Sequence, residues 1–134
     1  MKKITVFLLL VFCLGLTGCS KNAEVQAFIT ELDSTTKEMV GKLDASPNSQ
    51  GVDEAQKAFD AKKASLKEKF DAFKNARGFQ VSEDMQKKLV DSATNNAKLL
   101  SDTVTKHASE IANDGDGMQK VQKLMKDYTD TFKM

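Results

Sequence analysis

The chain has 134 residues, 40% of them hydrophobic and 29% charged, with a formal net charge of +1, one histidine, two cysteines and one proline. That length suits a single domain, and the near-neutral balance supplies no basic stripe of the kind that nucleic acid requires. There is no glycine-rich phosphate loop, and one histidine without a Gly-x-Ser-x-Gly motif leaves a nucleophilic triad almost nothing to be built from; an enzyme is not expected, and no cofactor or catalytic residue is assigned.

In chain order, the first element opens Met1-Lys2-Lys3 and continues as an apolar run from Ile4 to Leu14. A basic start, a short apolar core and small residues after it make the layout of a secretory signal. The run is too short to span a bilayer, which takes about 20 apolar residues. It ends in Leu16-Thr17-Gly18-Cys19, which resembles the lipobox of bacterial lipoproteins. The resemblance covers the first 19 residues and does not extend to the domain behind them.

It implies that residues 1–18 are a cleaved signal peptide and that Cys19 is lipidated, with a diacylglycerol on its sulfur and an acyl group on its new amino terminus. Each buried methylene contributes about 0.8 kcal/mol, so one chain holds weakly whereas two or three hold effectively for good. In that family an aspartate after the cysteine retains the protein in the inner membrane. Ser20 therefore resembles the outer-membrane class, a periplasm-facing anchor in a Gram-negative host and a cell-membrane lipid anchor otherwise. Cys13 leaves with the signal and Cys19 is taken by lipid, so no thiol remains for a disulfide or a metal. Lys2 and Lys3 also leave, and 18 basic residues then face 19 acidic ones. Ser20 and Lys21 form a tether spanning under about 10 Å, which places the 22–134 domain against its own leaflet.

Everything beyond the tether reads as helix. Val25, Phe28, Ile29, Leu32, Thr36, Met39, Val40 and Leu43 share one face at helical spacing, with Asn22 as the cap and Glu24 in the first turn. The segment 44–51, with Pro47 and Gly51, breaks this helix. A second helix is predicted over Val52–Arg77, with Ala55, Phe59, Lys62 or Lys63, Leu66, Phe70 and Phe73 as its stripe and Arg77-Gly78 as its stop. Its mixed lysines and acids read as a solvated face, and Phe79 as a staple for the following corner.

Ser82-Glu83-Asp84 restarts the chain as a cap with acids at the positive end of the dipole. Met85, Leu89, Ala93, Asn96, Leu100, Val104, His107 and Ile111 then form a weaker third stripe, with a kink expected near Asn95-Asn96. The 113–117 turn ends that helix, Asp116 and Gln119 resemble a capping box, and Met118, Val121, Met125, Tyr128 and Phe132 carry the last one. Acid-to-base pairs four apart, Asp33/Lys37, Glu38/Lys42, Asp53/Lys57, Glu83/Lys87 and Asp102/Lys106, are expected on the wet faces. The fold class is all-α, an antiparallel bundle of about four helices formed by two helical hairpins.

His107 lies on an apolar stripe, and with a methionine from a facing helix (Met39, Met85 or Met125) it has the ligands for a haem iron; a packed core-edge histidine is the simpler reading. Counting from Asp114, a calcium loop needs a glycine at the sixth position and a glutamate at the twelfth, where Gln119 and Met125 stand. That leaves a non-enzymatic envelope lipoprotein, anchored to the membrane through Cys19 and binding or supporting an envelope protein partner. The alternative is a small-molecule or haem carrier using His107, with the ligand held in a diluted interior around Ala93, Asn96 and His107. A docking bundle should present an exposed apolar patch; a carrier should have a pocket.

Overall fold

A computed structural model describes residues 20–76 and 80–133. The expected signal peptide, Cys19, the expected Arg77-Gly78 stop and Phe79 lie outside the described residues. Five helices follow one another: α1 (Asn22–Ala45), α2 (Ser49–Phe73), α3 (Glu83–Lys106), the short α4 (Ala108–Ala112) and α5 (Gly117–Thr131). There is no strand among the described residues, and none of the helices is long and apolar enough to cross a membrane.

The helices form two hairpins. In the first, α1 and α2 run antiparallel, and Lys69 reaches Glu31 at 2.6 Å while Lys42 faces Glu54 at 4.0 Å. In the second, α3 goes out and α5 returns, with α4 at the corner. The hairpins lie side by side with α3 parallel to α1: Asn22 meets Ser82, Asp33 meets Ser92 and Asn96, and Asp44 meets Lys106 and His107. Likewise α5 follows α2, from Ser49 against Asp116 to Phe70 against Phe132. Helices α1, α2, α3 and α5 thus share a proximal end, where α1 and α3 begin and α2 and α5 finish, and a distal end at the α1–α2 turn.

The predicted stripes supply most of the core, but Met118 of the last one is exposed and Leu124, outside the predicted stripe, is fully buried. Val25, Leu32, Met39 and Leu43 of α1 pack with Ala55, Phe59 and Leu66 of α2, all almost fully buried; each such large side chain contributes about 1.5–3 kcal/mol by leaving water. The stripe of α3 is the thin one, and its buried residues are Asn96, Leu100 and Thr103. At the proximal half, Phe28 sits among Phe70, Phe73 and Phe132 with ring centroids 5.4–5.7 Å apart. Edge and tilted contacts of this kind add about 0.5–1.5 kcal/mol per pair beyond area burial.

Several local expectations are corrected. Asn22 is not a cap: it is the first residue of α1, and its amide exchanges hydrogen bonds with Ser82 instead, Ser82 N–H donating to Asn22 Oδ1 at 3.0 Å. Helix α2 begins three residues before Val52, because Asn48 caps it by accepting the Gly51 N–H at 3.0 Å, and it ends at Phe73 rather than Arg77. Lys62 lies exposed, so the stripe of α2 passes through the half-buried Lys63. Ser82 does cap α3, accepting the Met85 N–H.

No kink occurs at Asn95-Asn96, since Asn96 is buried and its amide donates across to Asp33. The break falls at His107, whose backbone leaves the helical region at φ −101°, ψ 9°. Asp116 makes no capping bond to the helix it precedes; Ser49 Oγ donates to it and Lys120 pairs with it. None of the five named pairs four apart forms an ion pair. Asp102 pairs with Lys98 and Lys106 crosses to Asp44, while Asp53 takes Lys120 at 2.6 Å.

Candidate functional site

The described chain starts at the proximal end. Ser20 is exposed, and the Lys21 N–H donates to the Gln80 carbonyl at 2.7 Å, so Lys21 is held to the corner that leads into α3. One residue, Ser20, separates Lys21 from Cys19, a reach of at most about 7 Å.

At the same end the helices leave an apolar pocket of about 470 Å³. It arises because α3 rests on α1 and α5 rests on α2, while α3 and α5 barely meet. Val25, Phe28 and Leu32 of α1 line one side and Phe70 and Phe73 of α2 another. Leu89 and Ala93 of α3 face Tyr128 and Phe132 across the gap. Ala93 is exposed, and Phe70, Leu89 and Phe132 are half-buried, so the pocket opens between α3, the end of α5 and the 74–76 segment.

Its interior has little polar chemistry. The Tyr128 ring forms wall, but its hydroxyl is bonded to Thr36 Oγ1 at 3.1 Å inside the core, and burial pushes the phenol pKa up despite that bond. Among the described residues, Lys74 and Gln86 are the remaining polar wall residues, and both are exposed at the rim. Lys74 pairs with Asp71 at 2.8 Å, and Gln86 donates to the Val81 carbonyl at 2.8 Å. The volume lies within the range of about 300–1,000 Å³ typical of small-molecule sites, but without the few converging polar groups that fix a polar ligand.

His107 stands at the distal end, away from this pocket. It is 8% exposed, and its Nε2 lies 2.7 Å from Asp44 Oδ1. Its Nδ1 is buried without a hydrogen bond, although Glu110 Oε2 is 3.4 Å away. Hydrogen bonds from His107 and then Lys106 hold the Asp44 carboxyl below its usual pKa. Val25 and Asp44 are separated by most of α1, about 28 Å at 1.5 Å per residue, so pocket and histidine are not brought together. The ring atom that a haem iron would take is already engaged by a carboxylate. No three histidine, cysteine, aspartate or glutamate side chains gather into a metal cluster among the described residues.

Among the described residues, large apolar side chains on the outside are few: Val90 at 63%, Leu99 at 38% and Met118 at 36% exposure. Val90 and Leu99 are nine positions apart on α3, half a turn out of phase at 3.6 residues per turn, so they do not combine into one patch. Of the three residues expected around a carrier's interior, Ala93 lines this pocket, whereas Asn96 is bonded to Asp33 and His107 to Asp44 farther along the bundle. The rest of the lining is not legible in the sequence, because it comes from four helices whose relative lean no helical wheel contains. Comparison of the chain with protein-family models, with curated proteins and with solved structures finds no match.

Proposed function

We propose that this chain is a bacterial envelope lipoprotein, anchored through lipid on Cys19, whose helical bundle has a non-enzymatic binding role at the membrane surface. The observation that carries this reading is the shortness and fixation of the tether: Lys21 is already bonded to Gln80, so an acylated Cys19 holds the proximal end against the leaflet. With a serine after the cysteine, the outer membrane of a Gram-negative host, facing the periplasm, is the location favoured. An envelope protein partner remains part of the reading, yet the scattered exposure of Val90, Leu99 and Met118 favours the pocket over a surface patch as the binding element. That same pocket supports a small-molecule carrier as the second reading, with an apolar ligand at the proximal end in place of haem at His107.

The test is intact mass on protein isolated from its own membranes. A chain lacking residues 1–18 and carrying diacylglycerol and acyl mass on Cys19 supports the anchor, and Cys19→Ser should abolish incorporation of labelled fatty acid. A mature chain cut elsewhere, or an unmodified Cys19, refutes it.

A further inference from the structure

We propose that the proximal pocket takes one acyl chain of a lipid drawn from the leaflet beside it. The proposal rests on the anchored reading above, which supplies the leaflet, and on the pocket, which supplies the chemistry. Among the described residues the wall is aromatic and aliphatic, the Tyr128 hydroxyl is turned into the core toward Thr36, and Lys74 and Gln86 are confined to the rim. An occupant must therefore be apolar along its length and polar only where it emerges. A methylene fills about as much space as a water molecule, roughly 30 Å³, so a volume of about 470 Å³ accommodates one long chain rather than two.

The position of the pocket names the source. Val81, in its wall, is adjacent to Gln80, whose carbonyl holds the Lys21 N–H, and Cys19 is two residues further out. That wall is thus held within about 15 Å of the anchoring lipid, where acyl chains are the prevailing apolar chemistry. Half-buried Phe70, Leu89 and Phe132 are the side chains such a chain would cover. Because the headgroup stays outside, selection should follow chain length rather than headgroup.

The bundle beginning at Ser20 contains every core residue from Val25 to Thr131, and it can be freed of lipid and checked for cooperative melting. Titration with a fluorescent long-chain polyene fatty acid should show one saturable site. Palmitate and a palmitoyl lysophospholipid should displace the probe equally well within a few-fold, and each methylene removed should weaken competition by up to about fourfold. Ala93→Phe, which fills the gap from an exposed helical position, should weaken binding at least tenfold without lowering the melting temperature. Val90→Phe, away from the pocket, should leave binding unchanged.

A folded bundle that binds no probe, or binds equally well with Ala93→Phe, overturns the proposal while leaving the anchor intact. Native mass of the lipidated chain taken from membranes should show one extra, non-covalent lipid. If the Ser20 bundle binds the probe but the lipidated chain carries no extra lipid and refuses the probe, the occupant is its own anchor chain and the leaflet source is wrong. An unmodified Cys19 beside a binding bundle refutes the anchor, and with it the leaflet as source.

Discussion

Two glycines in helices of this bundle should respond to alanine with opposite signs. Gly51 lies in the first turn of α2, where the 46–48 turn folds back on it, and a Cβ built there would lie 1.7 Å from the Ser46 carbonyl oxygen and 2.8 Å from its carbon. Those are backbone atoms and cannot rotate away, so the turn must move. It holds the Asn48 N–H bonded to the Ser46 carbonyl at 2.8 Å and the Asn48 side chain capping α2 through Gly51 N–H. Overpacking of this kind costs about 1–3 kcal/mol, loss of the cap about 1, and the turn hydrogen bond about 1. Against that, alanine gains about 1 kcal/mol in helix propensity, so Gly51→Ala should destabilise by about 2–4 kcal/mol.

Gly41 is also helical, in α1, but a Cβ there meets nothing within 4 Å. Only the propensity gain applies, and Gly41→Ala should stabilise by about 1 kcal/mol. Urea unfolding of the two variants beside the parent, monitored by circular dichroism, reads both changes from the midpoint at constant slope. In a thermal melt each kcal/mol corresponds to roughly 4 °C for a domain of this size. Equal shifts of the same sign would refute the packing of the 46–48 turn on α2.

Tyr128→Phe should cost about 1–2 kcal/mol, because it leaves the fully buried Thr36 hydroxyl without its cross-bundle partner; adding Thr36→Val should recover most of the loss in a double-mutant cycle. Asp130 is pulled down to a pKa of about 2 by hydrogen bonds from Lys126 and then Lys133. Asp71 is lowered by Lys74 and Lys67, and Asp127 chiefly by Lys123. For depressed carboxylates the stabilising contribution is complete above their unfolded pKa near 4 and is lost as pH falls through the folded value. The melting temperature should therefore drop between about pH 4 and pH 2, less steeply with Asp130→Asn and in high salt. Asp44→Ala should lower the melting temperature more than Lys106→Ala, since it also strips the buried His107 Nε2 of its partner; an equal effect would show that the histidine contact contributes nothing.

How far the fold could be read depended on the distance in sequence between interacting groups. The apolar stripes of α1 and α5 are properties of i, i+3 and i+4 neighbours, as is the Ser82 cap, and these were legible. Asn22, Asp33, Asp44 and Asp116 were read with local partners or none, and each is claimed by a group about 60 or more positions away: Ser82, Asn96, His107 and Ser49. The kink misread at Asn96 has the same origin. A mid-helix asparagine destabilises an isolated helix by competing for its backbone, whereas here its amide is consumed by Asp33, and the continuous helix wins. The candidate site followed suit: the anchor is a linear motif, whereas the pocket is a product of tertiary lean.

That lean is itself encoded along α3. Its distal half presents Leu100 and Thr103, both buried against the bundle, while its proximal half offers Leu89, half-buried, and Ala93, exposed. A larger apolar residue at position 93 would reach across toward Tyr128 and Phe132, cover their free edges and remove the gap. Alanine there leaves Phe132 half-buried, which forgoes burial at about 25 cal/mol per Å² of apolar surface. Along α3 the cost falls at the proximal half, because its distal end is held to α1 by the Asp44, Lys106 and His107 contacts. The apolar gap therefore lies at the end where the described chain begins, and the residue that sets it is small where the stripe pattern calls for large.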